Sequence, residues 1–128
     1  MALEIFEKES CSFKIGPDQV LVYFRRPNAR EMVNYLAKTI SSKEPEFTSK
    51  MLEAGIELAR ACTLGIKEGD VMLIDNGNRV PLVTDPSRPG YVANWKAIVE
   101  EKIPGLLLIL GNHLARMTRS DLEVREKN

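Results

Sequence analysis

The sequence predicts an α+β fold: an N-terminal β-hairpin, about four helices packed together, and a second β-hairpin near residues 71–83. Three observations carry that expectation. Apolar residues alternate at Val20, Val22 and Phe24, the period of a strand. Later segments repeat apolar residues at the i, i+3, i+4 spacing of helices. Between two apolar runs stands Asn76-Gly77, and a two-residue type I′ turn needs both its central residues in the left-handed region.

The first hairpin should consist of strands at 11–15 and 20–25 around Gly16-Pro17-Asp18-Gln19, with proline presetting the turn's second position. Leu21 and Tyr23 make the other face of the second strand apolar too. Both faces should therefore be partly covered, one by a helix and one by a partner. Arg26 precedes a proline, which keeps it out of the helical region and ends the strand. Asn28 then caps a helix, and Glu31, three residues on, completes a capping box. Met32, Val33, Leu36 and Ile40 form the expected core stripe of that helix. The pair Arg25-Arg26 is less explained. It is either a solvated edge that discourages strand-to-strand pairing or a contact with an acidic partner.

Residues 41–47, SSKEPEF, read as a loop with capping residues. A long helix should run from Pro45 or Glu46 to Leu64, apolar at Phe47, Met51, Leu52, Ala54, Ile56, Leu58, Ala59 and Cys62, with Gly65 as its stop. Gly55 in its middle either weakens the helix by about 1 kcal/mol relative to alanine or lets another helix approach. In the second hairpin Pro81 cannot donate a ladder hydrogen bond, so its strand should be an edge or end early. A loop over 84–90 leads to a helix over 91–102 that turns Tyr91, Trp95, Ile98 and Val99 to one side. Ile103-Pro104-Gly105 breaks it from a last helix over 105–117, apolar almost all round at Leu106, Leu107, Leu108, Ile109 and Leu110. Such a helix is central in a core or covered by another subunit. Residues 1–117 should make a single domain, and the charged tail 118–128 should fray.

Composition narrows the function. Lys and Arg total 18 and Asp and Glu total 18, so the net charge is zero. Neutrality removes the long-range pull toward phosphate and argues against a nucleic-acid partner, while it allows a homo-oligomer. Cys11 and Cys62 lie far apart and outside any C-x-x-C pair, and His113 is the one histidine. Reduced thiols are expected, with no zinc site. His113, near a helix end, reads as a capping or packing residue. The opening MALEIFEKES is acidic where a secretion signal is basic, and the apolar run 106–110 is too short to span a bilayer. A cytoplasmic protein without a membrane partner is expected. No phosphate-binding glycine loop, H-E-x-x-H or G-x-S-x-G is present; GIKEGD at 65–70 lacks the Ser or Thr after its lysine and reads as a turn. The aspartate and asparagines near the second hairpin lack the closing glutamate of a calcium loop. The expected function is non-catalytic and needs no cofactor or metal. A small protein-binding adaptor or regulatory domain, homodimeric through its C-terminal helix, fits these features, and a ligand-binding or enzymatic site built from scattered polar groups is the third reading.

The order of features resembles that of the small tail assembly chaperones of long-tailed bacteriophages and prophages. There an N-terminal strand pair leads into an R-P-T/N-x-x-E helix start, a place held here by Arg26, Pro27, Asn28 and Glu31. A middle helix with an L-x-x-A-C-like segment is matched loosely by Leu58-Ala59-Arg60-Ala61-Cys62, and the late aromatic helix, proline and Leu-Gly pair by Trp95, Pro104 and Leu110-Gly111. The likeness touches residues 10–117, and the Asn76-Gly77 hairpin departs from it, because the family is mostly helical after its first strands. The resemblance implies a protein that binds the tape-measure protein, keeps its long helices soluble and yields as tail-tube subunits polymerise. It further implies that Tyr23, Arg25 and Arg26 border a partner groove, with Trp95 and 106–110 in the core.

Overall fold

In the first turn of the chain glycine, not proline, sets the geometry. Gly16 has φ +59°, and Ile15 pairs directly with Asp18, so the connection is the two-residue Gly16-Pro17. A positive φ at the first central residue is the type II′ pattern, which leaves the second central place to proline. The strands consequently reach closer to the turn than expected: β1 spans Glu9–Ile15 and β2 spans Asp18–Phe24. The structure, a computed structural model, describes residues 2, 4, 6–40 and 46–126, with side chains at all of these but 46–48 and 118–126.

After the hairpin come α1 (Ala29–Ile40), α2 (Glu46–Cys62), β3 (Thr63–Ile66), β4 (Met72–Asp75), β5 (Asn78–Pro81), α3 (Trp95–Lys102) and α4 (Pro104–Glu126). This is the α+β class with both hairpins in the expected places. The chain folds as two compact units: Met1–Arg26 with Thr63–Ile103, and Pro27–Cys62 with Pro104–Asn128. Three helices, α1, α2 and α4, belong to the second unit, and α3 to the first. Residues 118–126 contain neither Gly nor Pro, and α4 continues through them to Glu126. The expected loop at 41–47 falls largely outside the described residues.

In the first unit one antiparallel sheet has the order β1-β2-β3. Being its central strand, β2 is apolar on both faces. Val20, Val22 and Phe24 are buried on one, and Leu21 and Tyr23 are half-buried on the other. The third strand corrects the expected helix to Leu64: α2 ends at Cys62, and Thr63, Gly65 and Ile66 pair with Phe24, Tyr23 and Val22. The free edge of β2 supplies backbone partners that a local reading cannot see, and the β-branched Thr63 and Ile66 suit a strand. Gly65 is thus a strand residue rather than a helix stop. In the second hairpin Asn76 (φ +49°) and Gly77 (φ +82°) both occupy the left-handed region, and Pro81 closes β5 opposite Met72. Helix α3 starts at Trp95 rather than at 91, because Tyr91 forms a bridge with Val83 and the Val92 N–H donates to the Val83 carbonyl at 2.9 Å. Trp95 and Val99 are buried.

The second unit opens with the capping box. The Glu31 N–H donates to Asn28 Oδ1, and the Asn28 N–H donates to Glu31 Oε1, both at 2.9 Å. Two orphan amides of α1 are satisfied at once, a device whose loss costs about 1 kcal/mol. Tyr35 is the buried residue of this helix, whereas the expected core stripe faces outward: Val33 is 64% exposed, Leu36 45% and Ile40 79%. The physical reason is the neighbour. α1 meets α2 through its opposite side, where Lys38 pairs with Glu57. α2 buries Ala54, Leu58, Ala59 and Cys62 as expected, while Met51 and Leu52 are exposed. On α4, Leu106, Leu107, Leu110, Leu114 and Ala115 are buried, and Ile109 breaks the all-round burial expected for this run. α2 and α4 pass closely at Gly111, where a Cβ would lie 2.3 Å from the Gly55 carbonyl oxygen.

Candidate functional site

On the outer face of the three-stranded sheet, Tyr23 stands beside Gly65, its strand partner on β3. The absence of a side chain at 65 opens a depression of about 440 Å³ lined by Tyr23, Gly65, Lys8, Thr84, Asp85 and Arg88, among others. Thr84 forms its back wall. Its Oγ1 accepts the Ile66 N–H at 3.0 Å and its hydroxyl donates to the Ile66 carbonyl at 3.3 Å. One buried hydroxyl thereby occupies both outward backbone groups of Ile66, as a fourth strand would.

The charged groups around the depression are each engaged by a neighbour. Arg88 reaches Glu68 with Nε and Nη2, both at 3.3 Å, in a forked pairing. Those hydrogen bonds and the Glu68 charge raise the Arg88 guanidinium above its already high value. Asp85 accepts the Ser87 N–H at 2.9 Å and the Ser87 hydroxyl at 2.8 Å. These bonds, the backbone one foremost, hold its carboxyl below the ordinary carboxylate range, with smaller contributions from the Arg88 and Lys8 charges. The Lys8 ammonium lies 4.2 Å from the centre of the Tyr23 ring, a cation–π distance. Glu68 is delivered by the 67–70 turn, whose Asp70 N–H donates to Lys67 O at 3.1 Å and whose Asp70 carboxylate accepts the Leu21 N–H at 2.8 Å. What this surface offers is an aromatic plane and balanced charges.

Of the three residues singled out in the sequence, Tyr23 lines the depression. Arg26 is clamped to Glu9, with Nε–Oε2 at 2.7 Å and Nη2–Oε1 at 3.4 Å, so this arginine has an acidic partner within its own chain. Arg25 Nη1 donates to the Arg26 carbonyl at 3.4 Å. Sequence reading missed Lys8, Glu68, Thr84, Asp85 and Arg88. The Asp85-x-Ser87 spacing, an Asx-turn signal, was the one local cue to the loop that carries three of them.

The second unit presents a surface of another kind. Ala29, Val33, Leu36 and Ile40 are spaced four, three and four residues apart along α1, and all are exposed together with Ala37. This is an uninterrupted apolar stripe on a helix anchored from behind. Between α1 and α2 runs a narrow cleft of about 160 Å³ that includes Glu31, Tyr35, Lys38, Glu57 and Leu58. At its edge the buried Cys62 thiol stands 4.0 Å from Glu31 Oε1; neither cysteine is in a disulfide. Among the described residues no group of three His, Cys, Asp or Glu could hold a metal ion, and no helix is long and apolar enough to cross a membrane. No family model, no curated protein and no solved structure matches this chain.

Proposed function

We propose that this chain is a non-catalytic tail assembly chaperone of a long-tailed phage or prophage that binds the tape-measure protein during tail assembly. The observation that carries the protein-binding part is the exposed stripe Ala29-Val33-Leu36-Ile40. Leaving Val33 and Ile40 mostly in water forgoes roughly 1–2 kcal/mol for each, which a partner helix restores by covering them. A client that is long, helical and insoluble alone needs such a surface, and the contact must be weak enough to yield to tube subunits. The resemblance built on Arg26, Pro27, Asn28 and Glu31 supplies the class of client. Tyr23, on the open sheet face, is the proposed second contact; Arg25 and Arg26 keep that strand end polar.

Co-expression with the tape-measure protein of the same phage or prophage tests the reading. The expected result is a soluble complex that co-purifies, and Val33→Glu or Ile40→Glu releases the client while the chaperone stays folded. Tyr23→Ala should weaken capture less. A tape-measure protein that stays insoluble beside the wild-type chain, or is captured equally by both stripe variants, overturns the proposal.

A further inference from the structure

We infer that, without a client, the α1 stripe closes on α1 of a second copy of this chain, with the two helices antiparallel. The inference uses the surface on which the proposed function rests but not the identity of the client. Spacings of four, three and four residues put Val33 and Ile40 at one core position of a heptad and Ala29 and Leu36 at the other.

Side-chain size selects the direction. Two parallel copies would set Ala29 against Ala29 and Ile40 against Ile40, leaving a gap at one end of the seam and crowding at the other. Turned antiparallel, Ala29 meets Ile40 of the second copy and Val33 meets Leu36 of the second copy, so every layer pairs a smaller residue with a larger one. The flanks agree. Met32 and Thr39 border one side of the stripe and Arg30 and Ala37 the other. The antiparallel arrangement brings Arg30 beside Ala37 of the second copy, away from the second Arg30. A neutral chain adds no general repulsion between copies.

A seam of 12 residues spans only about 18 Å. The dimer should therefore be weak and reversible, which keeps the stripe available to a client. Sedimentation equilibrium on the chain alone, from about 1 µM to about 1 mM, reads this directly. The expected result is a monomer at the low end and a dimer at the high end. Leu36→Glu and Ile40→Glu, both at exposed positions, should each raise the dissociation constant at least about tenfold with an unchanged circular dichroism spectrum.

Cross-linking fixes the direction independently. In a Cys11→Ser background, Ala29→Cys with Ile40→Cys should oxidise to a covalent dimer. Ala29→Cys alone should not, since the antiparallel copies hold those positions about 16 Å apart. A monomer at every concentration, a dimer indifferent to both glutamates, or cross-linking through position 29 alone overturns the inference. Because the client is absent from these measurements, their failure leaves the chaperone reading standing, and failed client capture leaves this pairing standing.

Discussion

Thr84 and Asp85 are adjacent in sequence and do opposite work. Thr84 is buried, and its hydroxyl is bonded to both the N–H and the carbonyl of Ile66. Thr84→Val keeps the shape and strands both backbone groups, so it should cost about 1–3 kcal/mol in urea unfolding, while Thr84→Ser retains most of that. Gly65 is bound to the same arrangement, because a Cβ there would lie 2.9 Å from Thr84 Oγ1. Asp85 is exposed, and its depressed pKa comes mainly from Ser87. A carboxyl whose folded pKa lies below its unfolded one contributes stability above the unfolded value and loses it as pH falls through the folded value. Carboxyl NMR should therefore find Asp85 titrating below the usual value of about 3.9, and Ser87→Ala should move its midpoint upward. The role of Thr84 could not be assigned from sequence, since Ile66 is 18 positions away and only folding brings them together, whereas the partner of Asp85 is two residues on.

At the scale of elements, periodicity located the helices and the inward faces of α2 and α3, but not that of α1. The stripe of α1 was legible as a stripe; its direction was not. Tyr35, Lys38 and the capping Glu31 lie on the side that meets α2, so the more polar side faces the neighbour. The glycines of the α2–α4 crossing separate the two readings that Gly55 allowed. A Cβ built on Gly55 meets nothing within 4 Å, whereas one on Gly111 collides with the Gly55 backbone. Close approach is thus the demand of Gly111, and Gly55 supplies the surface approached. Gly111→Ala should destabilise by about 1–3 kcal/mol or more, because helix backbone yields less than a side chain. Gly55→Ala should be neutral or gain up to about 1 kcal/mol from helix propensity. Comparing the two midpoints in one thermal-melt series checks both; equal losses would mean that the crossing is not as close as the structure has it.

Across the whole molecule the chain passes between its two units at Arg26–Pro27, at Cys62–Thr63 and at Ile103–Pro104. Two of these crossings are written in the sequence, since each has a proline that ends one backbone conformation and begins the next. The third, where α2 becomes β3 with no intervening loop, is silent, and the expected helix ran past it. Local chemistry by itself determined the Asn76-Gly77 turn, the capping box and the helical periods, because each depends on residues within a few positions of one another. Tertiary structure alone decided that β3 joins β2, that Thr84 closes the sheet edge, and that the apolar stripe of α1 points away from α2. Those outcomes depend on which distant surfaces meet, and hydrophobic pattern records that a face is apolar without recording what covers it.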